Sequence, residues 1–225
     1  MSERTIPTGG GCAYSAQWSP HEDGVVSAVG SDGVLRLFDL RTPASAKNHL
    51  VMAIPTNASP AQARFGVAAG MGKGSPTSEM LTHDWNKYRS SVVAVGGVDR
   101  VIRTFDVRVA AGAQGPLAVL PGHEYAVRRV SWSPHLGDLL LSASYDMSCR
   151  VWADGSAVGV EGQQQQQQMG DPMAFGGGRE LGRMDRHTEF ATGVDWCLFG
   201  AEGWCASTAW DERVLVWDVR AFMGR

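Results

Sequence analysis

Six histidines and four cysteines are the residues of this 225-residue chain most able to ligate a metal or act as nucleophiles. Their spacing argues against both roles. His21, His49, His83, His123, His135 and His187 are scattered, with no pair at the short intervals of a zinc site. Cys12, Cys149, Cys197 and Cys205 form no Cys-x-x-Cys pair, and so few cysteines cannot staple a chain of this length, so reduced thiols are expected. Cys149 and Cys197 are expected inside strands, as small buried hydrophobes. Gly70-Met71-Gly72-Lys73-Gly74-Ser75 looks suited to phosphate. It fails, because the first required glycine position holds Val67 and Lys73 is followed by Gly74. No metal, cofactor or catalytic residue is expected, and the chain reads as a non-enzyme.

The tryptophans carry more information. Trp18, Trp85, Trp132 and Trp196 are each followed by an aspartate, Asp32, Asp99, Asp146 and Asp211, at offsets of 14, 14, 14 and 15. Six residues beyond each aspartate stands an aromatic: Phe38, Phe105, Trp152 and Trp217. Three of these aromatics open an Asp-Leu-Arg or Asp-Val-Arg ending. A repeat is the only economical explanation.

The elements that would position these residues are strands. Each unit reads as three short ones: alternation around the anchor tryptophan, an apolar run such as Leu139-Leu140-Leu141, and a strand ending on the aromatic, as in Val214-Leu215-Val216-Trp217. Turn residues separate them, which predicts an all-β fold. Apolar residues at 44% and charged residues at 19% suit a folded protein. A net charge of −3 leaves no basic surplus for nucleic acid. No apolar stretch is long enough for membrane insertion, and Met1 to Pro7 shows no secretory signal. Aspartate-to-aspartate spacings of 67, 47 and 65 exceed the repeat of ~40–45 in two places. The excess is expected as low-complexity insertions at 43–78 and 153–182, the second holding Gln163 to Gln168.

These marks resemble the WD-repeat family of β-propellers, with blades of four antiparallel strands around a channel. The resemblance implies a propeller portion over 9–225, with blades at about 9–42, 79–109, 121–153 and 186–220. In that family a buried His, Ser/Thr, Asp and Trp chain ties each blade. Here His123, Ser144, Asp146 and Trp152 match it in the third unit. The fourth offers His187, Asp211 and Trp217, with Ala209 at the hydroxyl position. The first two have Gly30 and Gly97 there and lack the Gly-His, so they are expected to rely on apolar packing.

Longer runs resemble the last four repeats of the receptor family for the type-2 peroxisomal targeting signal. They are Cys12 to His21, His83-Asp84-Trp85-Asn86-Lys87-Tyr88, Tyr125-Ala126-Val127-Arg128 and Arg186-His187-Thr188-Glu189-Phe190. That resemblance implies a cytoplasmic receptor that cycles to the peroxisome, with entry to its matrix left open. It would bind the N-terminal amphipathic helix of matrix proteins such as thiolase, together with a co-receptor peroxin, and deliver both to the docking complex. The face carrying the aspartate turns would hold the helix, with Tyr125, Tyr145, Phe190 and Trp210 as aromatic anchors and Glu79, Glu124 and Glu189 as acids. Receptors of that family have six or seven repeats, so this four-unit chain is expected to be an N-terminally incomplete ring. One alternative stands. The Asp-x-Arg endings resemble substrate receptors of cullin-type ubiquitin ligases, in which the arginine contacts an adaptor; elsewhere it pairs an acid on a neighbouring blade.

Overall fold

The computed structural model describes residues 5–8, 11–43, 49–56, 78–109, 115–156 and 177–222. The glutamine tract and the Gly70 to Ser75 run lie outside them. Among the described residues fifteen strands form four antiparallel sheets. The first holds β1 (Ala13–Trp18), β2 (Val25–Gly30), β3 (Val34–Asp39) and β4 (Leu50–Pro55). The second holds β5 (Met80–Trp85), β6 (Val92–Gly97), β7 (Ile102–Asp106) and β8 (Ala118–Leu120). The third holds β9 (Val127–Trp132), β10 (Leu139–Ser144), β11 (Cys149–Ala153) and β12 (Arg179–Met184). The fourth has three strands, β13 (Ala191–Trp196), β14 (Trp204–Ala209) and β15 (Val214–Asp218), before a 3-10 turn at Val219–Ala221. Each sheet is a consecutive meander, and among the described residues no helix is long and apolar enough to cross a membrane.

Two expectations need correction. The first three units have a fourth strand, not three in all, and β4 and the start of β12 fall inside the stretches expected to be insertions. Two of these outer strands bury little: β12, Arg-Glu-Leu-Gly-Arg-Met, is mostly exposed or half-buried and shows no clean alternation, and β4 buries only Ile54, whereas β8 places Ala118 and Leu120 in the core. Without a buried face, a strand leaves no two-residue signature in the sequence.

The cores lie between sheets. Val29, Leu35 and Leu37 of the first sheet pack with Trp85, Val93, Val95 and Phe105 of the second. Val92, Ala94, Ile102 and Leu120 then meet Trp132, Leu140 and Trp152 of the third. Leu139, Leu141, Ala143 and Val151 face Val194, Trp196, Cys205 and Trp217 of the fourth. Middle sheets are therefore covered on both faces, which is why β6 and β10 are buried at every position and mostly apolar. Truncating Leu140 or Leu141, both fully buried, would cost about 2–5 kcal/mol. First strands touch first strands, β1 to β5, β5 to β9 and β9 to β13, so the sheets fan about one axis. Trp85, Trp132 and Trp196 are wedged into these seams at 2%, 1% and 8% exposure, whereas Trp18 is 64% exposed.

The loops between first and second strands, all at one end of the fan, stitch neighbours together. His21 Nε2 lies 2.8 Å from the Asn86 carbonyl. Asn86 Nδ2 donates to the Gly137 carbonyl at 2.7 Å, and Tyr88 Oη to the Pro134 carbonyl at 2.6 Å. Arg89 pairs with the buried Asp154 and lies 5.3 Å over the Trp132 ring. His135 Nε2 continues to the Cys197 carbonyl at 3.0 Å.

Candidate functional site

The turns between second and third strands lie at the opposite end of the fan. Each is built the same way. The aspartate Oδ1 accepts the amide two residues on: Val34 at 3.3 Å, Val101 at 3.4 Å, Ser148 at 3.1 Å and Arg213 at 3.1 Å. The residue between has a positive φ: Gly33 67°, Arg100 70°, Met147 65° and Glu212 62°. An aspartate side chain closing a left-handed turn is a local device written in the sequence.

In the third sheet the buried chain is complete. His123 Nδ1 lies 2.8 Å from Asp146 Oδ2 and its Nε2 2.7 Å from Ser142 Oγ, which also accepts Trp152 Nε1–H at 2.8 Å. The hydroxyl is therefore Ser142, two residues before the expected Ser144. Both serines project to one face of β10, but Ser144 sits at its end, where its Oγ donates to the Tyr125 carbonyl at 3.0 Å. The same correction restores the fourth sheet. His187 joins Asp211 at 2.9 Å and Ser207 at 2.8 Å, and Trp217 donates to Ser207 at 3.2 Å, so Ala209 is no gap. The common spacing of ten residues from serine to tryptophan was the overlooked signal.

Burial alone would raise the Asp146 carboxyl, but hydrogen bonds from His123, Ser148 and the Glu124 amide hold it well below the usual carboxylate range. Burial lowers His123 below the ordinary histidine value against the pull of Asp146, so the imidazole is neutral at pH 7. Nδ1 then donates to the carboxylate and Nε2 accepts the serine proton.

Gly30 and Gly97 are required by close approach rather than by a missing hydroxyl. A Cβ there would fall 2.1 Å from the Cys12 carbonyl oxygen or 2.0 Å from that of Glu79. Asp32 and Asp99 take Arg36 and Arg103 as partners, so these sheets are pinned by ion pairs and not by apolar packing alone. The first two sheets also share a cluster that sequence reading missed. Ser27 Oγ accepts Trp85 Nε1–H at 2.8 Å and lies 2.8 Å from His83 Nε2, while His83 Nδ1 is buried without a partner.

The expected anchor residues divide. Tyr145, Phe190 and Trp210 converge, with ring centroids 5.0 Å apart for Tyr145–Phe190, 5.2 Å for Phe190–Trp210 and 6.3 Å for Tyr145–Trp210. The Trp210 amide donates to the Phe190 carbonyl at 3.1 Å, fixing turn to loop. Trp210 remains 63% exposed. The cluster bridges the third and fourth sheets at the end carrying the aspartate turns. Glu124 and Glu189 are exposed on the loops leading into β9 and β13; Glu189 adjoins Phe190 in the chain, whereas the Glu124 carbonyl accepts Arg100 Nη1–H at 3.4 Å from the second sheet. Tyr125 is 60% exposed and makes no aromatic contact with the three among the described residues. Glu79 stands elsewhere, at the seam of the first and second sheets, accepting the Tyr14 hydroxyl at 3.0 Å.

Among the described residues no group of three or more His, Cys, Asp or Glu is arranged to hold a metal. Cys149 is buried in β11, and burial pushes its thiol up to about 12. Cys197 is not in a strand as expected: it is exposed just past β13, with Sγ 2.8 Å from the Phe199 carbonyl. The Asp-x-Arg endings differ from the expected pairing with an acid on a neighbouring blade. Arg41, Arg108 and Arg220 each clasp the aspartate two residues earlier in their own sheet, at 2.7, 2.7 and 2.6 Å. Those hydrogen bonds hold Asp39 and Asp106 down to about 2.

Four fanned sheets, each with an aspartate turn and two with a complete His–Ser–Asp–Trp chain, decide the family. The chain is built of WD repeats. The WD domain, G-beta repeat family matches residues 114–153, the unit that holds His123 to Trp152. Over 92% of its length the chain is 36% identical to the peroxisomal targeting signal 2 receptor of Saccharomyces cerevisiae, covering 52% of that protein. It is 34% identical to the Komagataella phaffii receptor of the same name over 93% of this chain and 50% of the relative. A histone acetyltransferase type B subunit 2 from Debaryomyces hansenii is 24% identical over 91% of the chain. The chain spans about half the length of the two receptors it matches.

Proposed function

We propose that this WD-repeat chain works in peroxisomal import by recognition alone, seating the type-2 signal helix of a matrix protein on the Tyr145–Phe190–Trp210 cluster. The observation that carries the reading is that cluster: three touching aromatic rings, one of them 63% exposed, with the exposed Glu189 next to Phe190 in the chain. An aromatic cluster with one exposed ring and an acid beside it in the chain suits an amphipathic helix that presents leucine-type side chains and a basic residue on one face. The similarity to two yeast receptors over most of this chain supports the same reading, and the 24% relative of different name is more distant. On this proposal a co-receptor joins the cargo complex, and the chain works in the cytoplasm and cycles to the peroxisome.

Fluorescence anisotropy with a labelled signal-helix peptide tests it. Trp210→Ala should weaken binding by about 1–3 kcal/mol, as expected for a central anchor. Glu189→Gln should weaken it less and reduce its dependence on salt. Unchanged affinity in both variants, with normal melting, removes the cluster from the site.

A further inference from the structure

Each aspartate turn needs one residue in the left-handed region, and glycine occupies it without strain. The first turn uses Gly33. The other three hold Arg100, Met147 and Glu212 there, at φ 70°, 65° and 62°. None of these is asparagine or aspartate, which tolerate such a backbone best, so a glycine would relieve each turn. Strain kept in three successive repeats, on the face with the aromatic cluster, implies side chains retained for a task outside the fold. All three are exposed. Among the described residues the Met147 and Glu212 side chains make no hydrogen bond or ion pair, and Arg100 makes only its long bond to the Glu124 carbonyl. In chain order the three read basic, apolar, acidic. Met147 stands two residues from Tyr145 and Glu212 two residues from Trp210, while Glu189 adds a second acid beside Phe190. The turns therefore run from positive at the second sheet to negative at the fourth.

We infer that these turn residues set the direction of the guest helix, its N-terminal end at Glu212 and its C-terminal end at Arg100. The inference rests on the signal-binding reading and deepens it. A helix leaves four amides unpaired at one end and four carbonyls at the other, with about half a unit of positive and negative charge respectively. Glu212 and Glu189 meet the positive end. The Arg100 guanidinium donates to the orphan carbonyls of the negative end. Met147, unbranched and adaptable, lies under the helix between them. The aromatic cluster alone grips apolar side chains in either direction. A reversed helix would set its carbonyls against two carboxylates and its amides against a guanidinium, so repulsion as well as attraction fixes the choice. Because the signal is N-terminal, the cargo follows from the Arg100 end and hangs over the first and second sheets.

Anisotropy with the labelled signal-helix peptide and the full 225-residue chain tests the inference. Arg100→Gly and Glu212→Gly should each weaken binding about two- to five-fold, the size of one charge at a helix end. The melting temperature should stay level or rise, because glycine relaxes the turn as Gly33 does in the first. A side chain with only a structural role would move affinity and stability in the same direction. A benzophenone on the first residue of the peptide should cross-link to the fourth sheet, and one on the last residue to the second, as read by mass spectrometry. Unchanged affinity in both glycine variants, or cross-links in the reverse order, overturns the inference; the site reading survives if Trp210→Ala still weakens binding. Unchanged affinity in Trp210→Ala and Glu189→Gln removes the site and the inference with it.

Discussion

Acid should weaken this protein through one residue first. His83 is fully buried, its Nε2 is held by Ser27, and its Nδ1 has no partner to share a second proton. Burial, with the Arg129 charge adding to it, lowers its pKa from 6.5 to about 3. An unfolded chain binds a proton at His83 below pH 6.5, and the native chain refuses it until about pH 3. The depressed value therefore contributes stability above pH 6.5 that is lost as the pH falls. The slope is about 1.4 kcal/mol per pH unit for one such group, so about 2–3 kcal/mol disappears between pH 6.5 and 4.5. Aspartates held low by their partners, such as Asp39 and Asp106 near 2, act only below that window. The assay is urea unfolding at half-unit steps from pH 7.5 to 4.5, for the parent chain and for His83→Gln. Glutamine keeps a polar group opposite Ser27 and removes the titration. The parent should lose about 2–3 kcal/mol more than the variant across the window, with the remaining slope coming from His123, which burial also lowers. Parallel curves would refute the account, for they would mean that His83 takes its proton inside the folded seam.

Two substitutions separate the corrected serine from the expected one. Ser142→Ala strands His123 Nε2 and Trp152 Nε1 in a dry interior, and thermal or urea unfolding should show a loss of about 1–3 kcal/mol. Ser144→Ala gives up a bond to the Tyr125 carbonyl at the strand end and should cost about 1 kcal/mol. At the turn, Met147 holds a left-handed backbone at φ 65° with a 40% exposed side chain; Met147→Gly should raise stability by up to about 1 kcal/mol, read as a higher melting temperature.

What the sequence made legible was whatever has a buried partner. Asp146 and Asp211 could be found because each closes a turn and orients a histidine, two jobs that demand one residue type at one spacing. Tyr145, Phe190 and Trp210 were legible as exposed aromatics beside those turns, though only the folded seam shows that their rings touch. Two of the fourth strands were hidden because β4 and β12 are mostly exposed or half-buried and carry no clean alternation. Ser142 was passed over because Ser144, on the same face, satisfies the family pattern equally well by residue type. The Ser27–His83 cluster joins two repeats, and no spacing within a single repeat reports it.

The two ends of the fan are built for different tasks. At one end, each seam is fastened by directional bonds from loop to loop: His21 to Asn86, Asn86 and Tyr88 to Gly137 and Pro134, and His135 to Cys197. Such bonds set the angle between sheets and leave few polar groups free for a ligand. At the other end, most bonds are spent within a sheet, on closing turns and orienting His123 and His187, while among the described residues the seam between the third and fourth sheets meets there through ring contacts. Ring contacts tolerate a guest, because an aliphatic side chain can replace ring against ring without stranding a donor or acceptor. The Trp210 amide is fixed to the Phe190 carbonyl while its side chain stays 63% exposed. Rigidity at the stitched end is what allows adaptability at the aromatic one. Cutting a stitch, as in Asn86→Ala, should therefore loosen the aromatic face without altering any residue on it and lower stability, and on the proposed function it should lower peptide affinity as well.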